Sequence, residues 1–275
     1  MAALPRLVLL AVLSAASFAK GEVRRFTVAG RPVVVSLPAA LEGPWPVVYL
    51  MGGMGELSRG EAVSAGAWVD DYRIEAVVQA LEAGRVTDRT LQGLSTPSEL
   101  RDVRARLARL PYRGLVLVGL PAPVDYTDAF EKFVLQDVLP WAERTLPIRP
   151  GAASRGIDGV SLGGRHALRL GLRNPGVFRS VGAVQGAVRG YRDAVLEWSR
   201  AADAQTGQPR PKLNLSTSDG DPYRGAIEGL GKDLRARGFD VRISRLTGPH
   251  DYVFNRGPGA LDLLLFHDSV LNAQP

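Results

Sequence analysis

The feature that most constrains this chain is an alternation of short, β-branched apolar runs with longer stretches of helical spacing. Residues 46–51, 114–120, 156–160, 181–184, 213–217 and 241–246 read as strands, several of them apolar throughout and so buried on both faces. Helical spacing fills residues 72–83, 130–146, 162–172 and 260–271, and another helix starts from about Arg224. Strands joined through helices need crossover connections, so the expected fold class is α/β, a mostly parallel central sheet with helices on both faces. Residues 23–28 and 32–37 flank Ala29-Gly30 and add an opening hairpin. With 275 residues, 45% of them hydrophobic, the chain can bury one substantial core, and residues 20–275 are expected to form a single domain.

Residues 1–20 carry one early charge, Arg6, then an apolar run over 7–12 and small residues at Ser17 and Ala19. This is the pattern of a secretory signal peptide cut after Ala19, with an apolar run too short to cross a bilayer. The mature protein is therefore expected to be secreted or periplasmic, with no stable membrane insertion. The chain has no cysteine, which excludes a thiol nucleophile and thiolate metal sites, and its three histidines leave little room for a zinc cluster. No metal or organic cofactor is expected. The formal charge of +6 comes from arginines spread along the chain, which reads as a solvated basic surface with no nucleic-acid partner.

Gly159-Val160-Ser161-Leu162-Gly163 is the only G-x-S-x-G in the chain, and it falls where a strand gives way to a helix. That turn crowds the backbone, which calls for glycines two residues either side, and it lifts the serine hydroxyl above the sheet. Ser161 is the candidate nucleophile. The N–H of Leu162, at the start of the following helix, is a candidate oxyanion donor, and the Gly52-Gly53-Met54-Gly55 loop should supply a second from Gly53 or Met54.

In α/β hydrolases the base follows the acid and the acid follows the serine. His250 lies in Gly248-Pro249-His250-Asp251-Tyr252, at the carboxyl end of the last strand, and is the candidate base. His166 should be carried away along its helix, and His267 lies among leucines as a packing or surface residue. The acid is Asp221 or Asp219, both at the end of the 213–217 strand. Asp221 is preferred because it immediately precedes the Pro-Tyr that starts the next element. Asp251, adjacent to the base, is not expected to fold back onto it. Residues 85–113 contain a helix opened by Pro97-Ser98, with Leu100, Val103, Leu107 and Leu110 on one face. An ordinary surface helix is preferred over a lid.

Taken together, these segments resemble the putative-esterase family of α/β hydrolases, which includes enterochelin, feruloyl and acetyl-xylan esterases, S-formylglutathione hydrolases and bacterial mycolyltransferases. The resemblance rests on P-V-V-Y-L-M-G-G-M-G, F-E-K-F-V-L-Q-D-V-L-P-W-A-E-R, G-V-S-L-G-G-R-H-A-L with the following N-P-G-V-F-R-S-V-G-A, and G-P-H-D-Y. It implies Ser161 as nucleophile, His250 as base and an aspartate matching Asp221 as acid. Two departures stand out: Met51 replaces the histidine that many members have before the oxyanion glycines, and residues 85–113 make a longer connection. The substrate of any one member is therefore not carried over.

The expected function is ester hydrolysis through an acyl-enzyme, on a small-molecule, carbohydrate or lipid ester. The alternatives are acyl transfer from the same acyl-enzyme to an alcohol, and a non-catalytic binding module on the same fold.

Overall fold

Five consecutive buried residues, Val47 to Met51, show how the sheet is built. Val47, Tyr49 and Met51 pack into one hydrophobic cluster, while Val48 and Leu50 pack into the other. A strand alternates its side chains between faces, so a strand buried on both sides is apolar at every position. The computed structural model describes residues 21–39, 42–204 and 208–273. The expected signal peptide lies outside the described residues.

Eight strands form one sheet in the order β1-β2-β4-β3-β5-β6-β7-β8. They are β1 (Val23–Val28), β2 (Arg31–Ser36), β3 (Val47–Met51), β4 (Val116–Gly119), β5 (Arg155–Gly159), β6 (Ser180–Val184), β7 (Lys212–Gly220) and β8 (Val241–Pro249). The first two make the expected hairpin, with Ala29 and Gly30 both at positive φ, as a two-residue turn of primed type requires. β2 pairs antiparallel with β4, and every pairing from β4 to β8 is parallel. The carboxyl ends of β3, β5, β7 and β8 therefore open on the same side of the sheet.

Three helices, α1 (Met54–Leu57), α2 (Glu61–Asp70) and α3 (Ile74–Glu82), follow β3, and α4 (Pro97–Arg109) precedes β4. After β4, α5 (Asp128–Lys132) runs through a π-helical stretch, Phe133–Val138, into α6 (Leu139–Thr145). The widened turn falls where Pro140 lacks an N–H, and Leu139 donates instead to the Val134 carbonyl. α7 (Leu162–Arg173) follows β5, α8 (Arg192–Ser199) and α9 (Ala201–Ala204) precede β7, and α10 (Arg224–Ala236) lies between β7 and β8. The chain ends with α11 (Tyr252–Phe254) and α12 (Ala260–Leu271).

One cluster joins the sheet to the α5–α6 segment, α7, α8 and α10, and the other joins it to α2, α3, α4 and α12. The helices thus cover both faces, as the alternation requires. α4 opens with a capping box, in which Thr96 accepts from the Glu99 N–H while its own N–H donates to the Glu99 carboxylate. Leu107 is buried and Leu100 and Val103 pack beside it, but Leu110 is 41% exposed, contrary to its expected place on the inner face. Leu110 is the C-cap of α4 and has left helical geometry, so the side-chain period no longer governs it. Arg106 donates to the Leu265 carbonyl of α12, and no residue of 85–113 lines the cavity at Ser161.

His166, expected to pack along its helix, does so. It is buried in α7, its Nε2 lies 3.0 Å from the Pro123 carbonyl, and burial lowers its pKa from 6.5 to about 4. The folded state then refuses a proton that the unfolded chain accepts, so stability is present above about pH 6.5 and lost as pH falls toward 4. Chemical denaturation across that range should show His166→Gln removing up to about 3 kcal/mol of the stability otherwise lost between about pH 7 and pH 4. An unchanged acid-side loss of stability would contradict the burial of a neutral His166.

Candidate active site

Ser161 sits at the turn from β5 into α7 with φ 54° and ψ −113°. A non-glycine residue at positive φ outside the helical wells is strained by a few kcal/mol at most, and it persists only where its surroundings over-determine it. Here they do. A Cβ at Gly163 would come within 2.2 Å of the Gly52 carbonyl oxygen, and one at Gly159 within 2.5 Å of the Gly163 backbone. Both glycines of the motif are therefore steric requirements. Around the turn, Val160 N–H donates to Met51, Ser161 N–H to Val184, and Ala187 N–H to the Ser161 carbonyl.

His250 follows β8 directly, and its Nδ1 lies 3.1 Å from Asp221 Oδ1. The Asp221 side chain is fully buried, and it also accepts from Thr217 Oγ1 at 2.7 Å and from the Tyr223 N–H at 2.9 Å. A carboxylate held by three donors has one orientation available. Asp219 does not reach His250, because its Oδ1 accepts from the backbone N–H groups of Gly248 and Gly220. β7 runs on to Gly220 instead of ending at 217, so Asp219 is still within the strand, where it clamps the end of β8. Asp251 caps α11 by accepting from Val253 and Phe254, away from the imidazole. Gln185 braces both strand ends, donating to Ser218 Oγ and to the Pro249 carbonyl.

Ser161 and His250 line one cavity of about 210 Å³ together with Gly53, Met54, Glu56, Tyr72 and Tyr252. Of the two N–H groups considered in the glycine loop, Gly53 is already committed: it donates to Glu56 Oε2 at 3.0 Å and to Tyr72 Oη at 3.1 Å. That corrects the expectation for Gly53. Met54 and Leu162 are the first residues of α1 and α7, positions whose N–H groups have no partner within the helix, and none is recorded for them among the described residues.

Glu56 is a residue of the site that sequence reasoning missed. Its carboxylate is buried beneath the cavity and accepts from Gly53 N–H and from the hydroxyls of Tyr72 and Tyr252. It thereby ties the glycine loop to the segment that carries His250. The available signal was its place three residues after Gly53, the spacing of a capping box. A second missed cluster lies in the core: His267 Nε2 meets Asp158 Oδ2 at 3.0 Å and its Nδ1 meets Ser180 Oγ at 2.7 Å, all three residues fully buried. His267 is thus neither a surface nor a simple packing residue. It fastens α12 to β5, three residues ahead of Ser161.

The Esterase family model, described as "Putative esterase", matches residues 29–210. No curated protein matches the chain in sequence. Among solved structures, a ferulic acid esterase superposes with a TM-score of 0.62 at 16% identity, covering 90% of this chain and 97% of its own. A fluorophosphonate-binding serine hydrolase of Staphylococcus aureus gives 0.62 at 12% identity, with the same coverages of 90% and 97%. The enterobactin esterase of Shigella flexneri gives 0.57 at 16% identity, covering 90% of this chain and 60% of its own. These likenesses establish the fold.

Bonding to Glu56 raises the Tyr252 pKa to about 12. Replacing Glu56 by Gln removes the charge that opposes ionisation, so tyrosinate absorbance in a pH titration should gain a tyrosine ionising closer to 10. The same change should cost on the order of 1–3 kcal/mol of stability. A titration identical to that of the parent would exclude the bond.

Proposed function

The chain belongs to this esterase family, and from that premise we propose that it cleaves carboxylic esters through an acyl-enzyme on Ser161. The observation that carries the reading is a convergence. A serine on a strained strand-to-helix turn and a histidine bonded to a buried aspartate open on one cavity, from parallel strands whose carboxyl ends lie on the same side of the sheet.

His250 Nε2 takes the Ser161 proton as Oγ adds to the ester carbonyl carbon. Asp221 holds the Nδ1 proton, which fixes the tautomer that leaves Nε2 free, and it stabilises the imidazolium that forms. The carbonyl oxygen, now an anion, is held by the N–H groups of Leu162 and Met54, and the N-terminal end of α7 adds its positive dipole. Collapse breaks the ester C–O bond, and His250 returns the proton to the departing alcohol. Water, deprotonated by the same imidazole, then releases the acid and restores Ser161.

Met54, Tyr252 and Val253 are large apolar residues left 50%, 40% and 39% exposed at or beside this cavity. An apolar rim around a polar centre suits the apolar portion of an ester. Export by a cleaved leader over residues 1–19 completes the reading and places the substrate outside the cytoplasm.

The two aspartates separate the proposal from a structural explanation. On a chromogenic ester, Asp221→Asn should lower kcat by on the order of 10⁴, because the wrong tautomer is then held. Asp219→Asn should change stability by about 1 kcal/mol and leave kcat nearly intact. Ser161→Ala should abolish turnover. Equal losses in the two aspartate variants would count against Asp221 as the acid, and turnover surviving in Ser161→Ala would sink the mechanism.

A further inference from the structure

Beside the Ser161 cavity lies a larger one, of about 660 Å³, lined by Arg73, Arg89 and Arg256 with Thr87, Thr90 and Gln92 and by no carboxylate. The two cavities share a wall. Tyr72 faces the first and the next residue, Arg73, the second, while the Arg256 guanidinium lies 5.7 Å from the ring centroid of Tyr252, which faces the first.

Several arginines elsewhere on this surface pair with a carboxylate, as in Arg25 with Asp70, Arg31 with Glu61, Arg59 with Asp71 and Arg192 with Asp233, and what sets this cavity apart is that three arginines converge on it. Among the described residues, Arg73, Arg89 and Arg256 have no carboxylate partner, and Arg256 instead donates Nε to the Asp71 carbonyl. Three unneutralised guanidiniums around one hollow repel one another, and an anion placed among them removes that repulsion while accepting bidentate hydrogen bonds. The backbone points the same way. Of the non-glycine residues with positive φ, one is Ser161 and two, Arg73 and Gln92, line this second cavity.

The geometry points to an anion subsite: this cavity binds a carboxylate or phosphate group carried by the ester that Ser161 cleaves. The inference rests on the proposed hydrolysis for its link to catalysis, but not for anion binding itself.

The test has two arms. In the first, the full chain is titrated calorimetrically with inorganic phosphate. Binding is expected, and it should be lost in the Arg73→Asn/Arg89→Gln variant, where asparagine tolerates the left-handed backbone at position 73. In the second, 4-nitrophenyl esters of monocarboxylic acids are compared with hemi-esters of dicarboxylic acids of equal length, from succinate to suberate. At a matching length the hemi-ester should be favoured in kcat/KM on the order of tenfold, a preference that added salt weakens and the double variant removes, with neutral esters unaffected.

Phosphate should compete with the hemi-ester alone. If phosphate alters turnover of the neutral esters, the site serves a free effector and the substrate assignment is overturned. Ser161-dependent hydrolysis with no hemi-ester preference at any length and no phosphate binding would overturn the subsite while leaving the esterase standing. Phosphate binding without any ester turnover would do the reverse, sustaining the anion site and defeating the esterase.

Discussion

Everything at the candidate site depends on the backbone of one residue. Ser161 can hold φ 54° only because β5, the carbonyl end of β3 and the first turn of α7 meet so closely that glycine alone fits at 159 and 163. The closeness that excludes side chains there also brings the glycine loop after β3 against the serine. A larger residue at Gly163 would push α7 from the end of β3, and one at Gly159 would push α7 from β5, displacing the N–H groups of Met54 and Leu162 relative to each other. The strain at Ser161 is held by buried packing and by hydrogen bonds to β6 and its loop, so position is set by the whole sheet rather than by the turn.

Fixing the partners calls for different physics, because His250 is carried by a loop. Its orientation is imposed through Asp221, itself locked by Thr217 and Tyr223, and through the two strand ends braced by Gln185 and Asp219. On the far side of the cavity, Glu56 draws Gly53, Tyr72 and Tyr252 together. Two buried carboxylates thus hold the two loops that face the serine, one behind the imidazole and one beneath the glycine loop.

What the sequence made legible follows from the range of the forces involved. Strand and helix periods are local, and the strands at β3, β5 and β6 and the helices α7 and α12 lie close to where apolar spacing puts them. The elbow was legible because its steric demand is written as glycines within the motif. α2 was not read, since its buried face consists largely of small residues, Ser64, Ala65, Gly66 and Ala67, which give little periodic contrast. The choice between Asp219 and Asp221 needed the register of β7 on β8, which continues past the apolar run. Glu56 with Tyr252, and Asp158 with His267, join residues more than a hundred positions apart, and no local pattern marks such pairs. The arginine-lined cavity was hidden for the same reason, its members being scattered along the chain among many other arginines.

On this reading the strained serine is a nucleophile. Treating the protein with a fluorophosphonate and locating the adduct by peptide mass spectrometry tests it most directly. One adduct per chain is expected, on Ser161, absent when the protein is unfolded beforehand. An adduct on another residue, or a folded protein that remains unmodified, would contradict it.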